Sequence, residues 1–502
     1  MYAGARLDTE MNARQAPAGG GLNQALRERY AFLREVVAEM ERRVPYAAAL
    51  VSGADGIQLS LRDAEQQVSR LDPRFGIVLS AWHGASIEEV ALSRTDPAEV
   101  RAAAKALVER ARSRSLRSGD GSPDGDGSPD GDGAPSQAIQ IDPGEPLDAD
   151  FATRAVIDPA AVPLAEKLKR FEVLRQQARG LDRRIVQAML RYGDGVAVKV
   201  FANRTKFVTE VVHRVSLYLT IFVSDGQQRR YDWLHRGGTG GLELLDVAGG
   251  DLEALRDSAV ALLFAKPVPP GVYDVVTDPS VSGVLAHEAF GHGVETDMFL
   301  KGRARGADYL GRQVGSPLVT IMDDPTVPGG YGSYFIDDEG QPAAPTCIIK
   351  EGVLQRGLSD LYSATRLRLP RSANGRRESF ERKAYARMSN TFFAPGPHTP
   401  EQVLGSLDYG LLLCRASSGM EDPKGWGIQV STHFAREYRA GKPTGVVYSP
   451  IAITGYVPDL LHHVTMVAND LQLHPGGCGK GWKEYVPVGD GGPHLRTRAR
   501  LG

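Results

Sequence analysis

In His287-Glu288-Ala-Phe-Gly-His292, two imidazoles bracket a carboxylate that directly follows the first of them. Imidazole nitrogens bind zinc well, and a neighbouring carboxylate accepts a proton from a water that the metal activates. That is the working part of a metal-dependent peptidase. The familiar form is H-E-x-x-H, with its histidines four apart on one helix face. Here they are five apart. Five residues of a regular α-helix turn through roughly 500°, which leaves the side chains about 140° apart and unable to share an ion. The spacing therefore predicts a helix that widens into an i→i+5 turn, or ends, between Phe290 and His292, with Gly291 tolerating the distortion. The alternative without a metal is a buried helix with two capped or surface histidines. The small, apolar lead-in Val281-Ser-Gly-Val-Leu-Ala286 predicts a buried segment, on which His and Glu are costly unless paired or metal-bound.

Two histidines are too few ligands for one ion. Of the three cysteines, Cys347 and Cys414 sit in strand-like apolar runs and read as small core hydrophobes. Cys478 differs: His474-Pro-Gly-Gly-Cys-Gly-Lys480 reads as a glycine-dense loop that presents the sulfur, and a thiolate is favoured beside a metal or Lys480. Glu295 and Asp297 either orient an imidazole or form a solvated face. Arg376 and Arg377 suit a substrate carboxylate, or an internal ion pair with Glu378 or Glu381. His462 and His463 are adjacent and read as packing residues. Arg236-Gly-Gly-Thr-Gly-Gly241 lacks the Gly-Lys-Ser/Thr ending of a phosphate loop and reads as a hinge.

Over roughly residues 190 to 497 the sequence resembles the TldD/PmbA proteins, once called modulators of DNA gyrase and now regarded as zinc metallopeptidases. The resemblance rests on Ser282-Gly-Val-Leu-Ala-His-Glu-Ala-Phe-Gly-His-Gly293, Ile336-Asp-Asp-Glu-Gly340, Asn374-Gly-Arg-Arg-Glu-Ser379, Arg387-Met-Ser-Asn-Thr391, Val467-Ala-Asn-Asp-Leu471 and Cys478-Gly-Lys480. It implies a Zn2+ held by His287, His292 and Cys478, with Glu288 as general base. Those four positions match the catalytic TldD branch; the PmbA (TldE) branch lacks the metal set. It further implies hydrolysis of short or unfolded peptides and a dimer, in known cases with a TldE/PmbA-type homologue. Two other readings are a non-catalytic or regulatory peptide-binding subunit of such a complex, and a regulator that binds another protein.

The elements that must position these residues read as α+β. At 502 residues, two or three domains are expected. An amphipathic helix is predicted from Leu26 to about Arg43, strands over 47–52 and 76–82, and a helix over 98–112. Helix resumes over 164–191, strands alternate over 196–223, and 251–264 is helical. After the metal helix come mostly short strands. The expected organisation is a flexible extension over 1–24, an N-terminal α/β domain over 25–245, and a β-rich metallopeptidase domain over 246–502. The first domain carries a disordered insertion over about 113–147, where Gly119-Asp-Gly-Ser-Pro-Asp124 begins a six-residue repeat without apolar side chains. The net charge of −2, from 59 basic and 61 acidic residues, gives no field for nucleic acid. Three cysteines cannot all pair, the stretch from Met1 lacks the apolar core expected of a signal peptide, and no apolar run approaches the ~18 residues of a membrane span. The expected location is the cytoplasm, without membrane contact.

Overall fold

The structure is a computed structural model describing residues 20–71, 74–84, 86–118, 140–480 and 484–502. The six-residue repeat and most of the N-terminal extension lie outside the described residues. The fold is α+β in more than one layer.

The first sheet has eight strands. Its centre is three long antiparallel strands, Tyr46–Arg62, Ile185–Ala202 and Lys206–Ser224. From Arg214 onward the last of these alternates between part-exposed and buried residues, as a sheet with two different faces requires. Val215, Leu217, Leu219 and Ile221 point to a face covered by the helices Leu164–Gly180 and Gly249–Leu262. The helices Gly20–Tyr30, Leu33–Glu41 and Pro97–Ser118 cover the other half of that face. The opposite face meets the rest of the chain, with Tyr46, Leu50, Trp82 and Phe201 packed on Ile336, Leu361 and Phe380.

Three local expectations change. The predicted helix from Leu26 is two helices, interrupted at Ala31 and Phe32. The helix from Leu164 stops at Gly180, and Ile185 starts a strand. That strand is paired on both sides, so ladder hydrogen bonds decide its conformation over local propensity. The glycine run from Arg236 is partly strand: Arg229–Thr239 extends into it and ends before Gly240 and Gly241, with Arg236 paired to Asp251 at 2.9 Å.

Most of the remainder is built on two larger sheets with one helix between them. A seven-stranded sheet includes Gly271–Thr277, Tyr409–Asp422, Gly427–Arg439 and Leu495–Leu501. A six-stranded sheet ends in the hairpin Gln472–Lys480 and Glu484–Gly492, with Gln472–Lys480 at its edge. The helix Pro279–Phe290 starts where the Asp278 carboxylate accepts the Val281 N–H and Pro279 takes the first turn. Val281, Leu285, Ala286, Ala289 and Phe290 bury it in the largest apolar cluster. Gly283 lies against the backbone of Asp490 and Gly491, where a Cβ has no room. That close approach sets the helix directly on the late hairpin.

Candidate metal centre

His287 stands in the last turn of the buried helix, which ends at Phe290. A short 3-10 turn, His292–Val294, follows and swings the second imidazole back toward the first. The two ring centroids are 5.1 Å apart at an interplanar angle of 81°. The helix thus ends between the histidines, one of the two geometries that their spacing allows. Gly291 serves a different purpose from the expected one. Its φ of −87° suits any residue, but a Cβ would strike Met388 Sδ and the His287 carbonyl. Glycine is needed there for space.

Each imidazole is fixed through Nδ1. His287 Nδ1 is 2.6 Å from Asp490 Oδ1, and His292 Nδ1 is 3.3 Å from Glu295 Oε2. Both rings therefore offer Nε2 to the space between them. Cys478 enters from the edge strand, its Sγ 3.4 Å from His292 Nε2. Ligand atoms of His287, His292 and Cys478 all lie within 4.8 Å of one another, so these three residues could hold one ion. Cys478 is buried in the apolar cluster and lies on a strand, not a loop. The glycines beside it are bare on the opposite face, where the Tyr485 ring lies over Gly477. Among the other cysteines, Cys414 is buried in a core cluster and Cys347 is half-buried on a strand.

Charge binds the cluster together. Burial disfavours an imidazolium at His287, but Asp490 and Cys478 outweigh it and lift its pKa well above the usual range. Burial also opposes charge on His292, yet Cys478 and Glu295 raise it to about 10. Burial would raise the Cys478 thiol; His292 and His287 instead drive it well below the ordinary value, so the sulfur is a thiolate. Glu295 is buried but held at about 2 by Lys480 and His292. Lys480 Nζ lies 3.0 Å from Glu295 and 2.6 Å from Asp297. Glu295 orients a histidine, while Asp297 acts only through the lysine. The Arg387 guanidinium lies 3.8 Å from Glu295 and donates to the Cys478 carbonyl at 2.7 Å.

Glu288 sits on the open side of the helix, its pKa raised by burial against the pull of His287 and His292. Its seat exists because residue 419 is glycine: a Cβ there would meet Glu288 Cγ and come within 2.7 Å of Oε1. Glu421, two residues along the same strand, has both carboxylate oxygens sealed without a hydrogen-bond partner among the described residues. Burial, against the pull of His292, pushes its pKa up to about 9, so it is a neutral acid at pH 7.

Two cavities meet at this point, of about 990 and 660 Å3, and His287, Glu288 and Gly419 line both. Arg377 is taken up elsewhere, in an ion pair with Glu89 rather than Glu378 or Glu381. Arg376 is buried and donates to the carbonyls of Met388 and Pro487. His462 and His463 are exposed at the end of a short helix, away from the triad. Sequence reasoning gave no role to Asp490, Arg387, Gly419 or Glu421. Asp490 is 203 residues from the histidine it holds, and no local pattern marks it.

Models of the PmbA/TldA metallopeptidase central domain and C-terminal domain match residues 157–263 and 270–500. A metalloprotease of Methanothermobacter thermautotrophicus is 35% identical over 368 residues, covering 72% of this chain and 79% of that protein. The chain belongs to the PmbA/TldD metallopeptidase family. Other relatives agree. A metalloprotease TldD homolog of Haemophilus influenzae is 31% identical, over 66% of this chain and 70% of its own length. A relative in Saccharolobus solfataricus, 27% identical over 45% of this chain and 51% of its own, is named a zinc metalloprotease TldD homolog. Among solved structures, TldE of Thermococcus kodakarensis superposes with a TM-score of 0.67 at 15% identity, covering 93% of this chain and 98% of that one. A Thermotoga maritima protein described as a candidate modulator of DNA gyrase gives 0.71 at 17% identity, over 95% and 100%. These likenesses concern the fold. No described helix is long and apolar enough to cross a membrane.

Proposed function

We propose that this chain is a zinc-dependent peptidase that hydrolyses short or unfolded peptides, with His287, His292 and Cys478 as metal ligands and Glu288 as general base. The observation that carries the reading is the convergence of two imidazoles and one thiolate, two of the three buried and each held by a second residue. The donor set fits zinc. With bonds of about 2.3 Å to sulfur and 2.05 Å to nitrogen, a tetrahedral ion separates those atoms by about 3.5 Å. Cys478 Sγ and His292 Nε2 are 3.4 Å apart. A zinc ion bound there supplies Lewis acidity toward a water and a scissile carbonyl.

The chain's own residues supply the rest. Asp490 and Glu295 accept Nδ1–H of the histidines, which aims Nε2 of each ring at the site and makes it a stronger donor. Glu288, with a raised pKa, takes a proton at its carboxylate from the attacking water and returns it to the leaving amine. The junction of the two cavities leaves room for peptide on both sides of that carboxylate. Three free cysteines favour a reducing, cytoplasmic setting. A TldE-type homologue is the proposed partner in a dimer, supported by the family and by the shared fold.

Zinc per chain in the purified protein, measured by elemental mass spectrometry beside Cys478→Ser, tests the ligands. Cleavage of a labelled peptide library by the same protein and by Glu288→Gln tests the base. About one zinc per chain, much reduced in the serine variant, with cleavage lost in Glu288→Gln, is the expected result. Zinc unaffected by Cys478→Ser, or full cleavage by Glu288→Gln, overturns the assignment.

A further inference from the structure

Beyond the metal, the smaller of the two cavities adjoins others that follow one another along the face of the first sheet opposite its helices. The 660 Å3 cavity shares Tyr218, His235, Gly476 and Gly477 with a third of about 340 Å3. That one shares Gly193, Ser216, Tyr331 and Tyr485 with a fourth of about 620 Å3, which Arg214 lines. Tyr218, Ser216 and Arg214 alternate on one face of the same strand, so Arg214 lies about 13 Å along it from Tyr218.

Arg214 is a half-buried cation with no carboxylate in direct contact; Glu210 and Asp338, both paired with Lys199, act on it only from a distance. Its Nε donates to the Tyr331 carbonyl at 3.0 Å and its Nη2 to the Ser333 carbonyl at 2.8 Å, which fixes the guanidinium plane. No carboxylate of the described residues comes within ion-pairing distance of it, nor of the neighbouring Arg376. The carboxylates on the same walls are engaged: Asp55 with Arg70, Asp194 with Lys167, and Glu378, more loosely, with Arg382. Ser379, on the same wall, has a buried hydroxyl with no partner. Gly193 lies mid-strand with an ordinary φ, and a Cβ there would meet little but Ser216 Oγ at 3.2 Å. A bare glycine inside a strand without a bulge marks a place where a ligand or another backbone comes close. Burial, then Arg376, lowers the Arg214 pKa to about 10, so it remains charged at neutral pH and gains from a counter-ion.

We propose that Arg214 receives a carboxylate of the substrate peptide, so that the site selects peptides that carry an anionic group at a set distance from the cleaved bond. The inference rests on the peptidase reading and adds a charge requirement and a length to it. Arg214 to Tyr218 alone spans about four residues of extended peptide. The carboxylate is either the C-terminus or an acidic side chain near it.

The test uses the full-length protein purified with its metal and fluorophore-labelled Ala/Gly/Leu octapeptides. Three endings are compared: a free C-terminal carboxylate, an amide, and an amide preceded by Glu. Affinity is read by anisotropy on Glu288→Gln, and KM and kcat on the unmodified protein. The free acid is expected to bind about 10- to 100-fold more tightly than the amide. Recovery by the Glu-amide assigns the seat to an acidic side chain as well; no recovery assigns it to the C-terminus. Arg214→Gln, introduced beside Glu288→Gln, should weaken the acid peptide alone, and Arg214→Lys should restore part of the preference. Equal affinity for acid and amide overturns the proposal without any Arg214 variant, as does an equal loss for both in Arg214→Gln, or no binding of any peptide. Discrimination in binding without any turnover keeps Arg214 as a carboxylate seat and sinks the peptidase reading.

Discussion

Asp490 Oδ1 lies 2.6 Å from His287 Nδ1, and this contact joins the buried helix to the same hairpin that carries Cys478. One hairpin thus supplies both a donor to the triad and the group that aims another donor. The carboxylate fixes the ring orientation and makes the imidazole a stronger ligand. Replacing it by Asn keeps the shape and removes the charge. Asp490→Asn should weaken metal binding by about 10- to 100-fold with the fold intact. Competition against a fluorescent chelator measures this, and an unchanged affinity would show that His287 needs no such support.

Proton release offers an independent view of the triad. In the metal-free protein His292 titrates near 10 and His287 stays protonated well above its usual range, while Cys478 is already a thiolate. A metal ion at pH 7 must therefore displace about two protons from the imidazoles and none from the sulfur. Apparent affinity should fall roughly 100-fold for each unit that the pH drops below neutrality. Titrating metal into apo protein in dilute buffer, with a pH indicator, counts the protons directly. A count near zero would mean that the imidazoles are neutral beforehand and that the ion-paired triad is wrong.

The chemistry-bearing residues were legible because their types are rare together: His-Glu-x-x-x-His on a small, apolar helix is difficult to bury for any other purpose. Its geometry was legible too, since the five-residue spacing forbids a regular helix through both histidines. The conformation around Cys478 was not. Glycine density at 476–479 reads as a loop, yet the pairing of Gln472–Lys480 with Glu484–Gly492 and the Tyr485 ring over Gly477 make it a strand. The same limit applies at Ile185, where pairing on both flanks overrides a continuing helix pattern. Asp490, Arg387 and Gly419 act through long-range contacts, which leave no trace in local spacing.

Gly419→Ala isolates the position of Glu288 from the metal. The added methyl would occupy the place of Glu288 Cγ and push the carboxylate off its seat. The ligands belong to other elements, so zinc content should stay near that of the unmodified protein. A displacement of about 1 Å at a reacting group costs up to about 100-fold in rate. The expected result is kcat lowered by about 10- to 100-fold with KM little changed, measured on one labelled peptide. Normal kcat in Gly419→Ala would remove Glu288 from the reaction.

Stability against pH should report on Glu339, away from the metal. Its Oε2 accepts the Leu361 N–H at 2.6 Å. Burial, with the nearby Asp360 and Asp337 carboxylates, pushes its pKa from the ordinary 4.5 up to about 8. A raised folded pKa means that the folded chain binds the extra proton between those two values. Its contribution is complete below 4.5 and is lost as the pH rises through about 8. Glu339→Gln keeps an acceptor for Leu361 and cannot ionise, so it should lack this loss. The difference in unfolding free energy between the variant and the unmodified protein should grow in the variant's favour from pH 5 to pH 8. The growth should be about 2 kcal/mol, well below the full shift because the carboxyl is part-exposed and its neighbours adjust. Urea unfolding at several pH values gives the comparison, in which titrating groups remote from Glu339 cancel. A difference that stays constant, or shrinks, with rising pH would show that Glu339 is already ionised in the folded protein.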